Sequence, residues 1–444
     1  MRHRQRFGLR RILDDLRGRS SGRLSERNIR LNIYHGVLNM TALNMVQPFI
    51  PIFAMKLAAS DAQVALLSSA PAVVSLLAMI PGGKYADTKP LKKRFTAVFF
   101  LLHRFFWLTM ALIPLFTRDL RPAMLVAIVA LMNLPGAIGN VAWQGFIGGV
   151  VPRDRRADAF AARNRAMNIA GTAIVLVIGR ILDAIPFPLG YQVVFCAAFL
   201  VAVGEVWVFS RIEEQPGDQC KPVGTIRFLR EFGSSLLADI RQMGETHRWL
   251  RYTTASIFFH FAWQAPWPLF SIYQFRVLGA NNLWISILSL TNAGGSLFGY
   301  GFWARYMNRH GPFKTLFVSS LGIFVVPLAY AFSTNLQMIA TVNLFSGAIF
   351  SGVGLALFNA LLEVSPEQQR TTYIAYYSTL VNVATIFAPL AGVALSNQVG
   401  IKTAFLAAAS LRMLGSLTFY LVSRQEAREQ PPLVEQLGAS GSGQ

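Results

Sequence analysis

The sequence predicts an all-α integral membrane protein: twelve transmembrane helices in two pseudo-symmetric six-helix bundles. Three observations carry that expectation. The chain of 444 residues is 53% hydrophobic and 14% charged, where a soluble domain carries about 25% charged residues. Apolar runs near the roughly 20 residues that cross a bilayer recur along it with regular polar punctuation. The second half of the chain also repeats the first, in order and at a nearly constant offset.

Residues 1–30 hold ten arginines and no lysine. Leu9, Ile12, Leu13 and Leu16 fall at helical spacing among Arg10, Arg11 and Arg17. Two readings stand for this tail: a basic amphipathic helix on anionic lipid at the inner face, and a disordered cationic tail. Apolar spans follow near 32–56, 62–82, 95–116, 122–149, 160–186 and 190–211, and then near 252–277, 283–304, 315–333, 336–362, 371–396 and 400–423. The expected domains are a basic cytoplasmic tail (1–31), an N-terminal bundle (32–211), a cytoplasmic linker (212–251), a C-terminal bundle (252–423) and a disordered tail (424–444). In the linker, Leu229, Phe232, Leu236, Ile240 and Met243 form an amphipathic stripe that predicts a helix flat on the inner face.

The repeat rests on five matches. Gln47-Pro-Phe-Ile-Pro51 returns as Gln264-Ala-Pro-Trp-Pro268, and Gly83 with Asp87 returns as Gly301 with Arg305, followed by Arg309. Pro152 to Arg156 returns as Pro366 to Arg370, Asn168-Ile-Ala as Asn382-Val-Ala, and Gly190 to Phe195 as Gly400 to Phe405. Such a series points to two parallel halves. Orientation follows from charge: with both termini inside, roughly 33 of the 41 Lys and Arg fall on the inner side and about 5 on the outer. Multi-pass insertion in the plasma membrane, or the inner membrane of a bacterium, with both termini cytoplasmic, is the expectation.

The link Gly83-Lys-Tyr-Ala-Asp87-Thr-Lys89-Pro-Leu-Lys-Lys-Arg94 joins spans two and three. Its Gly, Asp, Lys and terminal basic cluster resemble the signature loop between helices 2 and 3 of the major facilitator superfamily. The resemblance covers nearly all of residues 32–423. It implies a secondary transporter working by alternating access, with Gly83, Asp87, Lys89, Arg94, Gly301, Arg305 and Arg309 in gating roles. The family's substrate path, between the halves and lined by spans one, four, seven and ten, would then include His35, Asn39 and Gln47, then Asn133, Asn140 and Gln144, then Trp263, Gln264 and Trp267, then Asn343 and Asn359. For any single Asn, interhelical hydrogen bonding is the simpler account. The repeat-related Gln47 and Gln264 favour function more. For Trp143, Trp263 and Trp267, ligand stacking and interface anchoring stand level.

A coupled carrier needs a titratable group in its path, and Glu363, Glu205, His35 and His260 are the candidates, with proton or sodium as the coupling ion. Glu205 within span six either snorkels or pairs across helices. Arg180 and Asp183, three apart in span five, read as a helix-surface ion pair. Two departures argue against proton antiport: no Arg precedes Gln144-Gly145 in span four, and span five has Gly171 and Gly179 without the family antiporters' Pro. The Pro48-Phe-Ile-Pro51 run resembles the drug-efflux branch. The sequence shows no phosphate-binding Gly-rich loop and no metal-ligand spacing, so no enzyme, cofactor or metal is expected. Despite a net charge of +20, the distribution between apolar runs excludes nucleic acid as partner. A monomer carrying a small organic solute, with efflux as one direction, is the leading expectation. A sugar or polar-metabolite uptake carrier, and a non-transporting sensor on the same fold, are its rivals.

Overall fold

The structure, a computed structural model, describes residues 24–87, 92–150, 156–213, 246–366 and 370–429. Side chains at some helical positions, including 79–87, 144–145, 147–150 and 156–161, fall outside that set. The described residues form helices without strands. We number twelve: α1 (Leu24–Val46, continued by Gln47–Phe49 and Ile50–Lys56), α2 (Asp61–Asp87), α3 (Lys92–Leu112), α4 (Arg121–Val150), α5 (Arg156–Ala184) and α6 (Leu189–Ser210); then α7 (His247–Gln264, continued by Trp267–Ile272 and the π turn Tyr273–Val277), α8 (Asn282–His310), α9 (Pro312–Leu321 to Val325–Phe332), α10 (Leu336–Val364), α11 (Arg370–Val399) and α12 (Ile401–Glu429). Ten helices are long and apolar enough to cross a membrane. The other two, α7 and α8, fill the expected seventh and eighth spans, the first broken in its middle and the second rich in Asn, Ser, Thr and Gly.

The chain divides into two compact units. Unit 1 comprises Met1–Gln63, Ala70–Thr225 and Asn281–Ser286, and unit 2 comprises Val64–Ser69, Ile226–Ala280 and Ile287–Gln444. Within unit 1, α1 packs against α5 and α6, and α3 against α4 and α6. Where α6 ends, Glu213 forms an ion pair with Arg27 and exchanges two hydrogen bonds with Asn28, at 3.0 and 3.1 Å. Lys93 donates to the Ile212 carbonyl at 2.9 Å, so the backbone just beyond α6 is tied down by α1 and α3 side chains.

Prolines set the breaks. In α1 the carbonyl of Asn44 would meet residue 48, but Pro48 has no N–H, and the helix tightens to a 3₁₀ turn over Gln47–Phe49. In α7 the carbonyl of Ala262 would meet Pro266, and the helix stops at Gln264 and restarts at Trp267. In unit 2, α7 packs on α11 and α12, and α9 on α10 and α12. Helices α8 and α10 touch through glycine: a Cβ on Gly295 would lie 1.8 Å from the Leu344 carbonyl oxygen, so only a bare backbone fits. Gly400, at φ +83°, turns α11 into α12 in a conformation that side-chain-bearing residues avoid.

Arg412 on α12 is fully buried and meets the orphaned carbonyls directly. Its Nε donates to Ala262 O at 3.4 Å, its Nη2 to Trp263 O at 2.5 Å and its Nη1 to Ile323 O at 3.3 Å. Ala262 and Ile323 both lose their helical donor to a proline four residues on, Pro266 and Pro327. One guanidinium thus repairs two proline breaks on two helices, and its charge sits at the negative end of the first α7 segment.

Two expectations change. The Gly83–Arg94 link is helical through Asp87 and again from Lys92, and Gly301, Arg305 and Arg309 lie inside α8, where Arg305 Nε donates to its own helix at Gly301 O, 3.0 Å away. The motif's composition signals charge at helix ends, not loop backbone. Asp183 does not act as a helix-surface partner of Arg180. Its carboxylate accepts the Asn282 and Leu283 N–H groups at 3.1 and 2.9 Å and caps the first turn of α8, which belongs to unit 1. The amphipathic stripes at 9–16 and 229–243 lie outside the described residues.

Candidate functional site

The interior of unit 1 holds a charged cluster that composition alone would forbid. Glu205 on α6 is fully buried. Its Oε2 lies 3.3 Å from Arg104 Nε on α3, and its Oε1 accepts Asn39 Nδ2 from α1 at 2.8 Å and lies 3.2 Å from His35 Nε2, also from α1. His35 and Asn39 are four apart and so share one face of α1. His103 Nδ1 lies 3.0 Å from Arg104 Nη1, and the Arg104 guanidinium sits 4.7 Å from the Trp107 ring centroid. His35 is walled by Phe209 and Phe100, at 5.1 and 6.1 Å between centroids, and by Trp143 at 6.4 Å. Arg163 on α5 completes the surround, its guanidinium 4.6 Å over the Trp143 ring.

A lone charge in the membrane interior is expensive, so an acid and a guanidinium there must pair. The repeat shows that the fold itself does not require this pair. The offset relating Gly83 to Gly301 takes Arg104 to Gly322, and the one relating Gly190 to Gly400 takes Glu205 to Gly415. Unit 2 builds the same helices with glycine at both places. Proton movement is the chemistry the cluster can do: a carboxylate, a guanidinium and two imidazoles (His35, His103) within hydrogen-bond reach of one another or one residue removed.

The remaining expected residues are more dispersed. Gln47 is exposed in unit 1. Asn133, Asn359 and His260 bond carbonyls of their own helices, at Val129, Leu355 and Ser256. Asn140 is exposed, and the Gln144 side chain lies outside the described residues. Asn343 donates to Leu288 O at 3.3 Å and joins α10 to α8. Gln264 donates to Thr385 Oγ1 at 2.7 Å within unit 2, Trp263 packs on Phe350 and His260, and Trp267 is exposed. Glu363 faces Arg248 at 3.4 Å, which also binds Glu426. Arg94 is exposed, while Lys89 and the Asp87 side chain lie outside the described residues and Gly83 is described by its helical backbone alone. His35, Asn39 and Glu205 are among the residues the sequence offers as candidates, whereas Arg163, near the inner end of span five, reads as an inner-side cation. Its repeat counterpart, Tyr377, was the available signal, since one half keeps a charge where the other keeps a ring.

The family model of the Major Facilitator Superfamily matches residues 36–240 and 252–441. No curated protein sequence matches the chain. Among solved structures, the nucleoside transporter NupG aligns with a TM-score of 0.68 at 11% identity, covering 88% of this chain and 99% of its own. A bacterial homologue of the human lysosomal transporter Spinster, inward-facing and unoccupied, aligns at 0.66 with 14% identity, covering 93% and 100%. A D-xylose–proton symporter aligns at 0.63 with 14% identity, covering 88% and 96%.

Proposed function

The chain belongs to the Major Facilitator Superfamily, and from that membership we propose that it is a secondary active transporter, moving a small organic solute by alternating access and coupling it to protons at the Glu205 cluster. The observation that carries the coupling is the buried carboxylate of Glu205 held between Arg104, His35 and Asn39. Among the described residues, His35 and Asn39 from α1 and Arg104 from α3 contact it directly and Arg163 from α5 acts on it through its charge; His103 lies behind Arg104, and Trp143 of α4 lies against His35 and Arg163. Protonation of the acid would release Arg104, and the helices that the pair ties together could then move apart.

Reconstitution into liposomes tests the reading. With a panel of nucleosides, sugars, peptides and organic acids, at least one solute should be taken up saturably, above protein-free liposomes. Uptake of none would favour a sensor. We also propose that both termini face the cytoplasm, because the cation excess lies on that side. A reporter fused at the C-terminus and another between Thr117 and Arg121 should read opposite sides, and the same side for both would contradict it.

A further inference from the structure

We propose that unit 1 carries a subsite for an organic carboxylate, built on Arg163 and Trp143, so that the transported solute is an organic anion; this rests on the carrier reading above. Arg163 is 8% exposed, yet among the described residues its Nε meets no hydrogen-bond partner and no carboxylate lies within ion-pair distance. A guanidinium cannot shed its proton to escape that situation; the Trp143 ring and the field of Glu205 offset its charge without a hydrogen bond, and a buried cation lacking a hydrogen-bonded acceptor is costly inside a membrane protein. Nearby buried polar atoms are also unmet: Trp143 Nε1, His35 Nδ1 and Asn32 Oδ1. They belong to one place. Arg163 lies over the Trp143 ring, the His35 ring is 6.4 Å from it, and Gly36 makes room for the arginine, since a Cβ there would come within 2.7 Å of Arg163 Nε. Asn32 is one helical turn before Gly36.

The chemistry of the donors selects the ligand. Arg163 Nε–H and Trp143 Nε1–H only donate, so they ask for a group that only accepts. A planar guanidinium fork matches a carboxylate in two-point geometry. Glu205 is already engaged by Arg104 and Asn39, which leaves two guanidiniums against one carboxylate among the described residues of this interior. The flat walls of His35, Trp143, Phe100 and Phe209 suit a carbon body more than a bare ion. The second half gives an internal comparison. The offset from Gln47 to Gln264 takes His35 to Tyr252, and the one from Asn168 to Asn382 takes Arg163 to Tyr377. In unit 2 those tyrosines stack on each other at 5.7 Å and Tyr252 donates to Leu357 O at 2.7 Å, so the place is filled with a neutral aromatic pair. The unmet cation is therefore a property of the first half and not of the fold. An anion seated on Arg163 would also neutralise the cluster, which lowers the cost of carrying its charge through a closed state.

Thermal melting of the purified full-length protein in detergent tests this. Benzoate, pyruvate and succinate are added one at a time, with benzamide and inorganic phosphate as comparisons. At least one carboxylate should raise the midpoint saturably, benzamide should not, and Arg163→Gln should abolish the shift. Should Arg163→Gln fail to fold, Arg163→Lys, which keeps charge but loses the fork, should weaken the shift about tenfold in midpoint concentration. No shift with any carboxylate, an equal shift with benzamide, an undiminished shift in the variants, or a shift with phosphate alone as a lipid headgroup or mineral anion would give, overturns the proposal. Binding in detergent does not require transport. Arg163-dependent binding without liposome uptake would fail the carrier reading and keep the site; saturable uptake of neutral solutes alone would do the reverse.

Discussion

Arg104→Met should cost the folded protein about 3–5 kcal/mol, because it leaves the fully buried Glu205 carboxylate without its cation. Methionine keeps most of the stem volume but loses the guanidinium stacked on Trp107, a term common to the single and double variants, so the difference between them reports the charge on Glu205. The double variant Arg104→Met with Glu205→Met removes both charges together. It should recover most of the stability, since replacing a whole buried pair by apolar side chains is often neutral or better, and unit 2 already folds with glycine at the repeat-related places. The measurement is midpoint stability in detergent for the two single variants and the double. A double variant no more stable than Arg104→Met would mean that the pair holds the bundle together and that its role is architectural.

Arg412→Met should be the most damaging substitution in unit 2. It strips a donor from three buried carbonyls and leaves two of them, Ala262 O and Trp263 O, orphaned, each at a cost of about 1–3 kcal/mol, since Ile323 O keeps the Val325 N–H. Arg412→Lys should recover only part of this, because one ammonium cannot reach carbonyls on both α7 and α9. The physical account gives a specific rescue. Pro266→Ala restores an N–H that the Ala262 carbonyl can take, so it should be worth more stability in the Arg412→Met background than in the wild type. An equal effect of Pro266→Ala in both backgrounds would show that Arg412 does not serve the α7 break.

Much of the fold was legible because a bilayer demands long apolar runs, and the repeat doubled the signal. Helices α7 and α8 were still found as spans, although the first is broken by Pro266 and Pro268 and the second is too polar to qualify by composition. Backbone at the charged links was not legible. Gly83, Asp87 and Arg305 read as lying beyond the spans, yet they sit in helices that run past the apolar stretch. The site was half legible. An acid and a guanidinium within apolar spans must find partners, which put Glu205 among four candidates without choosing between them. That its partners would be Arg104, His35 and Asn39 depended on how α1, α3 and α6 rotate about their axes, which hydrophobic runs do not specify. The polar stripe on α4 misled for a related reason: an Asn can turn back on its own helix, as Asn133 does at 2.7 Å. Arg163 was missed because it lies two residues from Arg165 at the start of α5, where a cation ordinarily marks the membrane edge.

Solute-driven proton movement tests the central claim most directly. Wild-type protein and Glu205→Gln are reconstituted with a pH-sensitive dye in the lumen, and the solute found in the uptake panel is added on one side. Coupling at the Glu205 cluster predicts a lumenal pH change in the wild type that is absent in Glu205→Gln, while exchange of labelled for unlabelled solute persists in the variant. An equal pH change in Glu205→Gln would contradict it.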